Sequence, residues 1–141
     1  MQLTLKQIIM LQPLTKNLSY LVLSSSKDNT ESLLSYQHQR LSIKEGNNYL
    51  LIPISQIIFI AADSNYSTLY LANGKNIMTS KTLKVWEDKI NHLFFIRCHR
   101  SYLVNVKYID HISKKNNSID ILNHIIPISR NQKKAIVHWI K

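Results

Sequence analysis

The residues Phe95-Ile96-Arg97-Cys98-His99-Arg100-Ser101-Tyr102-Leu103-Val104-Asn105 form the densest cluster of reactive and hydrogen-bonding side chains in this sequence. Cys98 beside His99 has the composition of a nucleophile and its base. Neighbours in a strand point to opposite faces, however, which leaves Cys98 as a small buried apolar residue. A nucleophile elbow needs Gly-x-Ser-x-Gly, and with Gly46 and Gly74 as the only glycines neither that motif nor a glycine-rich phosphate loop can be written. No two of the six His have the i,i+4 spacing with a nearby Glu that makes a zinc helix, and no Cys pair supports them. The carboxylates are scattered, with Glu87-Asp88 on the outer side of a helical stripe. Neither an enzyme nor a metal or other cofactor is expected, and the cluster points to binding.

Charge indicates the partner. Lys and Arg total 18 against 8 Asp and Glu, giving +10 and a pI of about 9.8 over 141 residues. A basic chain of this size favours an acidic partner, most commonly nucleic acid. Lys, Ile and Asn are all abundant, a bias that A+T-rich coding produces without selection on charge, so the lysines alone argue weakly. Four arginines, Arg40, Arg97, Arg100 and Arg130, stand out against that background. One cysteine permits no intramolecular disulfide and fits a reducing compartment. The longest apolar stretch, Tyr49 to Ala62, is interrupted by Pro53, Ser55 and Gln56 and is too short to span a membrane, and no signal peptide precedes it. A cytoplasmic protein without membrane contact is expected.

The elements that must hold the cluster read as short strands. Arg40 to Lys44 and Tyr49 to Ile52 flank a hairpin turn around Gly46. Ile57 to Ala62 and Tyr66 to Leu71 flank Asp63-Ser64-Asn65. Asn73-Gly74 predicts a type I′ turn with positive φ at both positions, returning through Lys75 to Met78. Ser80 is placed to cap a helix from about Lys81 to Asn91 with a stripe of Leu83, Trp86, Ile90 and Leu93. Phe95 to Arg97, Tyr102 to Asn105, Tyr108 to Ser113 and Ser118 to Leu122 resume the strands, with Lys114 to Asn117 as a polar hairpin loop. Ser129 and Gln132 make a capping box for a closing helix whose apolar face is Ala135, Ile136, Trp139 and Ile140. Residues 1 to 37, with only a weak helical pattern at Leu33, Leu34 and Tyr36, read as a separate segment of unknown role. No repeat of fixed period occurs.

The cluster also resembles the LytTR-type DNA-binding domain of bacterial response regulators. That family's Phe-x-Arg-x-His-Arg-Ser-x-x-Val-Asn pattern is matched in register at Phe95, Arg97, His99, Arg100, Ser101, Val104 and Asn105. Ile57 to Tyr66, the helix around Leu83 and Ile126-Pro127-Ile128-Ser129-Arg130 resemble further family blocks in the right order. The likeness covers residues 38 to 141. Ala61 departs from a common acidic residue, and Asn123-His124 replaces a common Asn-Gly or Asp-Gly turn, where Asn tolerates positive φ.

The resemblance implies a mostly β, elongated multi-sheet fold with one mid-chain and one C-terminal helix, inserting loops into successive major grooves of duplex DNA as a sequence-specific transcriptional regulator. By family position, Tyr66, Arg100 and Arg130 carry the binding, with Asn65 beside them. Asn pairs bidentately with adenine, and a guanidinium forks onto guanine O6/N7 or phosphate. Arg97 either contacts DNA or braces the loop, and Asn105 holds a turn. Ser80, Lys81 and Lys84 suit either phosphate binding at a helix N-terminus or a solvated helix end. Lys133, with Lys134, either reaches the DNA backbone or lies on a wet face. Paired or direct-repeat sites and a homodimer on DNA are expected. The 37 residues ahead are too few for a receiver domain, so phosphorylation within the chain is not expected. Two alternatives stand beside this reading: a single-strand or RNA module stacking bases on Tyr66, Tyr102 and Tyr108, and a basic domain that docks an acidic protein.

Overall fold

The computed structural model describes residues 27–140, and side chains from 30 to 138. Helix α1 (Lys27–His38) leads into the hairpin β1 (Arg40–Glu45) and β2 (Asn48–Pro53). A five-stranded antiparallel sheet follows from β3 (Ile57–Asp63), β4 (Tyr66–Leu71), β5 (Asn76–Thr79), β6 (Phe95–His99) and β7 (Tyr102–Asn105), in spatial order β5-β4-β3-β7-β6. Helix α2 (Leu83–Ile90) connects β5 to β6. Strands β8 (Ile109–Ser113), β9 (Ser118–Ile121) and β10 (His124–Pro127) form a third sheet, and α3 (Lys133–Ile140) closes the chain. The mostly β, multi-sheet expectation is met, with one helix more than the sequence reading foresaw.

Strand β3 explains the arrangement. It pairs with β4 on one side and β7 on the other, and Ile57, Ile58, Phe59 and Ile60 are all buried. Both of its faces are therefore covered, which is why its sequence is a continuous apolar run without alternation. On one face lies α2, whose Leu83, Trp86 and Ile90 are buried and whose Trp86 Nε1 donates to Thr79 Oγ1 at 3.0 Å. On the other, His124 of β10 packs edge-on against Phe59 and Tyr70, which stack on each other at 4.3 Å. Tyr66 to Leu71 alternates as a two-sided strand should, with Ser67, Leu69 and Leu71 inward.

Local corrections have local causes. In the β4–β5 turn positive φ falls on Gly74 (87°) and not on Asn73. Gly74 N donates to Leu71 O and Leu71 N to Lys75 O, so the loop is Ala72-Asn73-Gly74, a three-residue hairpin with glycine in the left-handed position. Ser80 does not cap α2. The cap position is Thr82, because the Lys81 carbonyl is held by Ser67 Oγ at 2.7 Å and the helix starts only beyond it. Leu93 lies past the helix and is exposed, and Phe94 takes the buried place. Helix α3 begins at Lys133, so Ser129 sits too far upstream for a capping box; its carbonyl accepts from the Gln132 and Lys133 amides instead. Ile136 is buried and Ala135 exposed, while the side chains of Trp139 and Ile140 lie outside the described residues. In the β9–β10 turn positive φ falls on Leu122 (49°), not on Asn123.

The composition shift near residue 38 is not where packing stops. From α1, Leu33 and Tyr36 enter the same core as the strands, and Leu34 stays exposed. Asn105, fully buried, donates from Nδ2 to the Tyr36 hydroxyl (2.8 Å) and the Ile57 carbonyl (2.9 Å), while its Oδ1 accepts from Lys107 N. The Asn105 reading as a turn holder is thus met, with α1 as an added partner. The Lys107 ammonium lies over the Phe94 ring at 4.9 Å and the Tyr36 ring at 5.7 Å. Burial lowers its pKa to about 8 and raises that of the Tyr36 hydroxyl.

Two outcomes are expected. Leu33→Ala lowers unfolding free energy by about 2 to 5 kcal/mol in urea titrations, as a buried Leu truncation does; an unchanged midpoint would detach α1 from the core. For Lys107, the unfolded chain binds more protons than the folded one between pH 8 and the ordinary value of 10.5, so this group makes stability rise with pH there. Subtracting the Lys107→Met stability curve from that of the wild type isolates the rise, and parallel curves refute it.

Candidate nucleic-acid interface

The strand pairings decide which turns share an end. Asp63 pairs with Tyr66, so Ser64-Asn65 is a two-residue turn, with Ser64 at φ 55°. His99 pairs with Tyr102 across Arg100-Ser101, and Ala62 N donates to Ser101 O at 2.8 Å. Strand β3 runs antiparallel to both β4 and β7, which brings the two turns to one end of the sheet. Thr79 pairs with Ser67, placing Ser80 and Lys81 at that end as well. Ser129 N donates to Cys98 O at 2.9 Å, which adds Arg130. Asn65, Tyr66, Ser80, Lys81, Arg100 and Arg130, drawn from widely separated parts of the chain, are therefore gathered together, and all are exposed. Lys84 in the first turn of α2 shares Glu87 with Arg97, and Lys133 at the start of α3 donates its amide to Ser129 O, which ties both to this end.

Arg97 occupies the centre of a brace. Its Nε donates to His99 O (2.9 Å), its Nη2 to Arg100 O, and its Nη1 pairs with Glu87 Oε2 at 2.7 Å. One guanidinium thus fixes two successive carbonyls of the β6–β7 turn and ties that turn to α2. His99 adds a tie, its Nδ1 accepting from Ser101 N at 3.1 Å, so the neutral ring carries its proton on Nε2. Of the two readings open for Arg97, its geometry is that of the brace, and Arg100 is left projecting from a fixed turn.

Glu87 was missed by sequence reasoning, which saw only an outward acidic residue. Its partner lies 10 residues away, across a helix end and a turn, and no local spacing announces such a pair. Lys84 is engaged with Asp88 at 3.0 Å and Glu87 at 4.0 Å, and those carboxylates raise its pKa. Such exposed pairs are weak and readily exchanged, so the ammonium keeps access to another anion. Cys98 is fully buried, its Sγ directed to the carbonyls of Tyr102 and Pro127, and burial pushes its pKa up to about 12. With His99 turned to Ser101, the two do not form a dyad. Ala61, where the family pattern suggested a carboxylate, is half-buried between Thr68 and Tyr102. No group of three potential metal ligands and no helix long and apolar enough to cross a membrane occurs among the described residues.

The family pattern described as the LytTr DNA-binding domain matches residues 47–141, which includes every turn gathered at this end. The chain belongs to the LytTr DNA-binding domain family. A response regulatory protein of Vibrio cholerae is 33% identical over 94 residues, 64% of this chain and 38% of its own length. The sensory transduction protein LytT of Oceanobacillus iheyensis is 29% identical over 103 residues, 69% of this chain and 42% of its own. The transcriptional regulatory protein LytR of Staphylococcus aureus is 29% identical over 76 residues, 54% of this chain and 30% of its own. The chain thus spans under half the length of these relatives. A solved LytTr DNA-binding domain from Bacillus cereus shares the fold at a TM-score of 0.60 and 20% identity, covering 72% of this chain and 95% of that one.

For this LytTr domain, the buried thiol gives a direct readout. Cys98 in the folded protein should react with an aromatic disulfide reagent at neutral pH far more slowly than in denaturant. Equal rates would place the thiol outside the core.

Proposed function

We propose that this LytTr domain binds duplex DNA sequence-specifically and serves a transcriptional regulator of the cytoplasm, its turns entering successive major grooves. The observation that carries this reading is the gathering of Asn65, Tyr66, Arg100 and Arg130 at one end of the five-stranded sheet, with the Arg100 turn held by Arg97. Asn65 suits adenine and the two exposed guanidinium groups suit guanine or phosphate. Ser80, Lys81, Lys84 and Lys133 serve the phosphate backbone from two helix starts. Arg97 acts as a positioning residue. Two copies on paired or direct-repeat sites complete the reading.

The single-strand alternative lacks its platform. Tyr66 is exposed, but Tyr102 is half-buried near Phe59, and Tyr108 spends its hydroxyl on Ser55 O at 2.6 Å. Stacking successive bases needs open ring faces in a row.

The test starts from sites selected by the chain from a random duplex pool. With six to ten phosphate contacts, log affinity falls with log salt at a slope of roughly −5 to −9. Arg130→Ala and Arg100→Ala each cost about 1 to 3 kcal/mol on the preferred site and relax one base position, while Lys81→Ala weakens all sequences alike and lowers the slope by about one. Circular dichroism confirms that each variant is folded. Salt-independent binding, or full affinity and preference in both folded arginine variants, sinks the proposal.

A further inference from the structure

The hairpin loop Lys114-Lys115-Asn116-Asn117 joins β8 to β9 and has no part in the interface described so far. Its position follows from two backbone hydrogen bonds. Ile128 N donates to Asn117 O at 2.7 Å, and the next amide, Ser129 N, donates to Cys98 O at 2.9 Å. Successive amides of an extended segment point to opposite sides, so residues 128 and 129 lie between the β8–β9 loop and β6. Pro127 pairs with Ser118 in the same ladder, which fixes the loop at the end of the sheet from which Arg130 emerges.

The turn end of the molecule is therefore a row of neighbouring backbone segments: β5, β4, β3, β7, β6, residues 128–129, and the β8–β9 loop. Segments joined by backbone hydrogen bonds lie about 4.8 Å apart, so the β8–β9 loop is two such steps beyond β6. Lys81 stands at one end of the row, Arg100 and Arg130 follow along it, and Lys114 and Lys115 stand at the other end. Both loop lysines are exposed, and neither has an ion-pair partner among the described residues. Asp110 faces away, its carboxylate holding Leu122 N at the opposite end of the small sheet. Asn117 takes the left-handed conformation (φ 51°) and Ser113 Oγ accepts from Asn116 N, so the loop is a formed turn.

We propose that the β8–β9 loop is a further DNA-contact segment, in which Lys114 and Lys115 grip phosphates just beyond the base position read by Arg130. This rests on the duplex reading above and extends its footprint at one end. The loop carries no base recognition, since its charge comes from two flexible ammonium groups that meet phosphate as point charges.

The experiment compares the full chain with Lys114→Ala/Lys115→Ala on the selected duplex and on a scrambled one. The salt slope should fall by about two units, near 0.9 per phosphate contact, and affinity should drop by the same factor on both duplexes. A hydroxyl-radical footprint should lose protection of about two nucleotides, at the end flanking the base whose preference relaxes in Arg130→Ala. Lys114→Gln/Lys115→Gln, which removes the charges but keeps polar side chains nearly as long, should reproduce the loss. Lys75→Ala, in the β4–β5 turn at the far end of the sheet, should leave slope and footprint unchanged. A folded double variant with the wild-type slope and footprint, or shortening at the other end, overturns the loop assignment while leaving the DNA reading in place. A wild-type chain that fails to bind duplex overturns both.

Discussion

Strand β3 is hydrogen-bonded on both edges and covered on both faces, and the rest of the molecule is arranged around meeting that condition. A strand so placed has no solvent face, so every residue from Ile57 to Ile60 is apolar and buried. One cover is α2, anchored through Trp86 to Thr79; the other is the small sheet, anchored through His124 on Phe59 and Tyr70. Because β3 runs antiparallel to both neighbours, its own C-terminal turn, the β6–β7 turn and the exit of β5 emerge side by side. The proposed binding end is a consequence of that topology, and the side chains on it are free to vary without disturbing the core.

Much of this was legible from residue order. Short alternating strands, the Gly46 hairpin, the Leu83–Trp86–Ile90 stripe and the in-register match around Arg100 each rest on local patterns, and local patterns survive folding. What was illegible depends on distant partners. The start of α2 moved to Thr82 because Ser67, far earlier in the chain, holds the Lys81 carbonyl. Helix α1 read as part of a separate segment because two inward residues, Leu33 and Tyr36, make a weak stripe; one of its ties is a hydrogen bond spanning 69 positions. Asn73-Gly74 reads as a two-residue turn until the Leu71–Lys75 bond shows that three residues are looped out. At the candidate site, residue types and order sufficed to name Tyr66, Arg100 and Arg130, whereas the Glu87–Arg97 pair needed the packing of a helix against a turn.

Arginine and lysine divide the work in this chain. Arg97 has a planar fork, which suits it to hold two carbonyls and a carboxylate at once; a lysine in its place would offer one ammonium for three directions. The lysines are mostly peripheral, where a point charge on a flexible stem suffices. Among the described residues Lys107 is the exception, an ammonium set over aromatic rings in the core at a cost in hydration.

The bond between Tyr36 and Asn105 has a mechanical meaning. Asn105 ends the four-residue strand β7, and Arg100-Ser101 immediately precedes that strand. Helix α1 is thus fastened to the far end of the same short rod whose near end carries the arginine turn. Strand β7 lies between β3 and β6 in the five-stranded sheet, so α1 and the arginine turn are held at opposite ends of one strand that is paired on both edges.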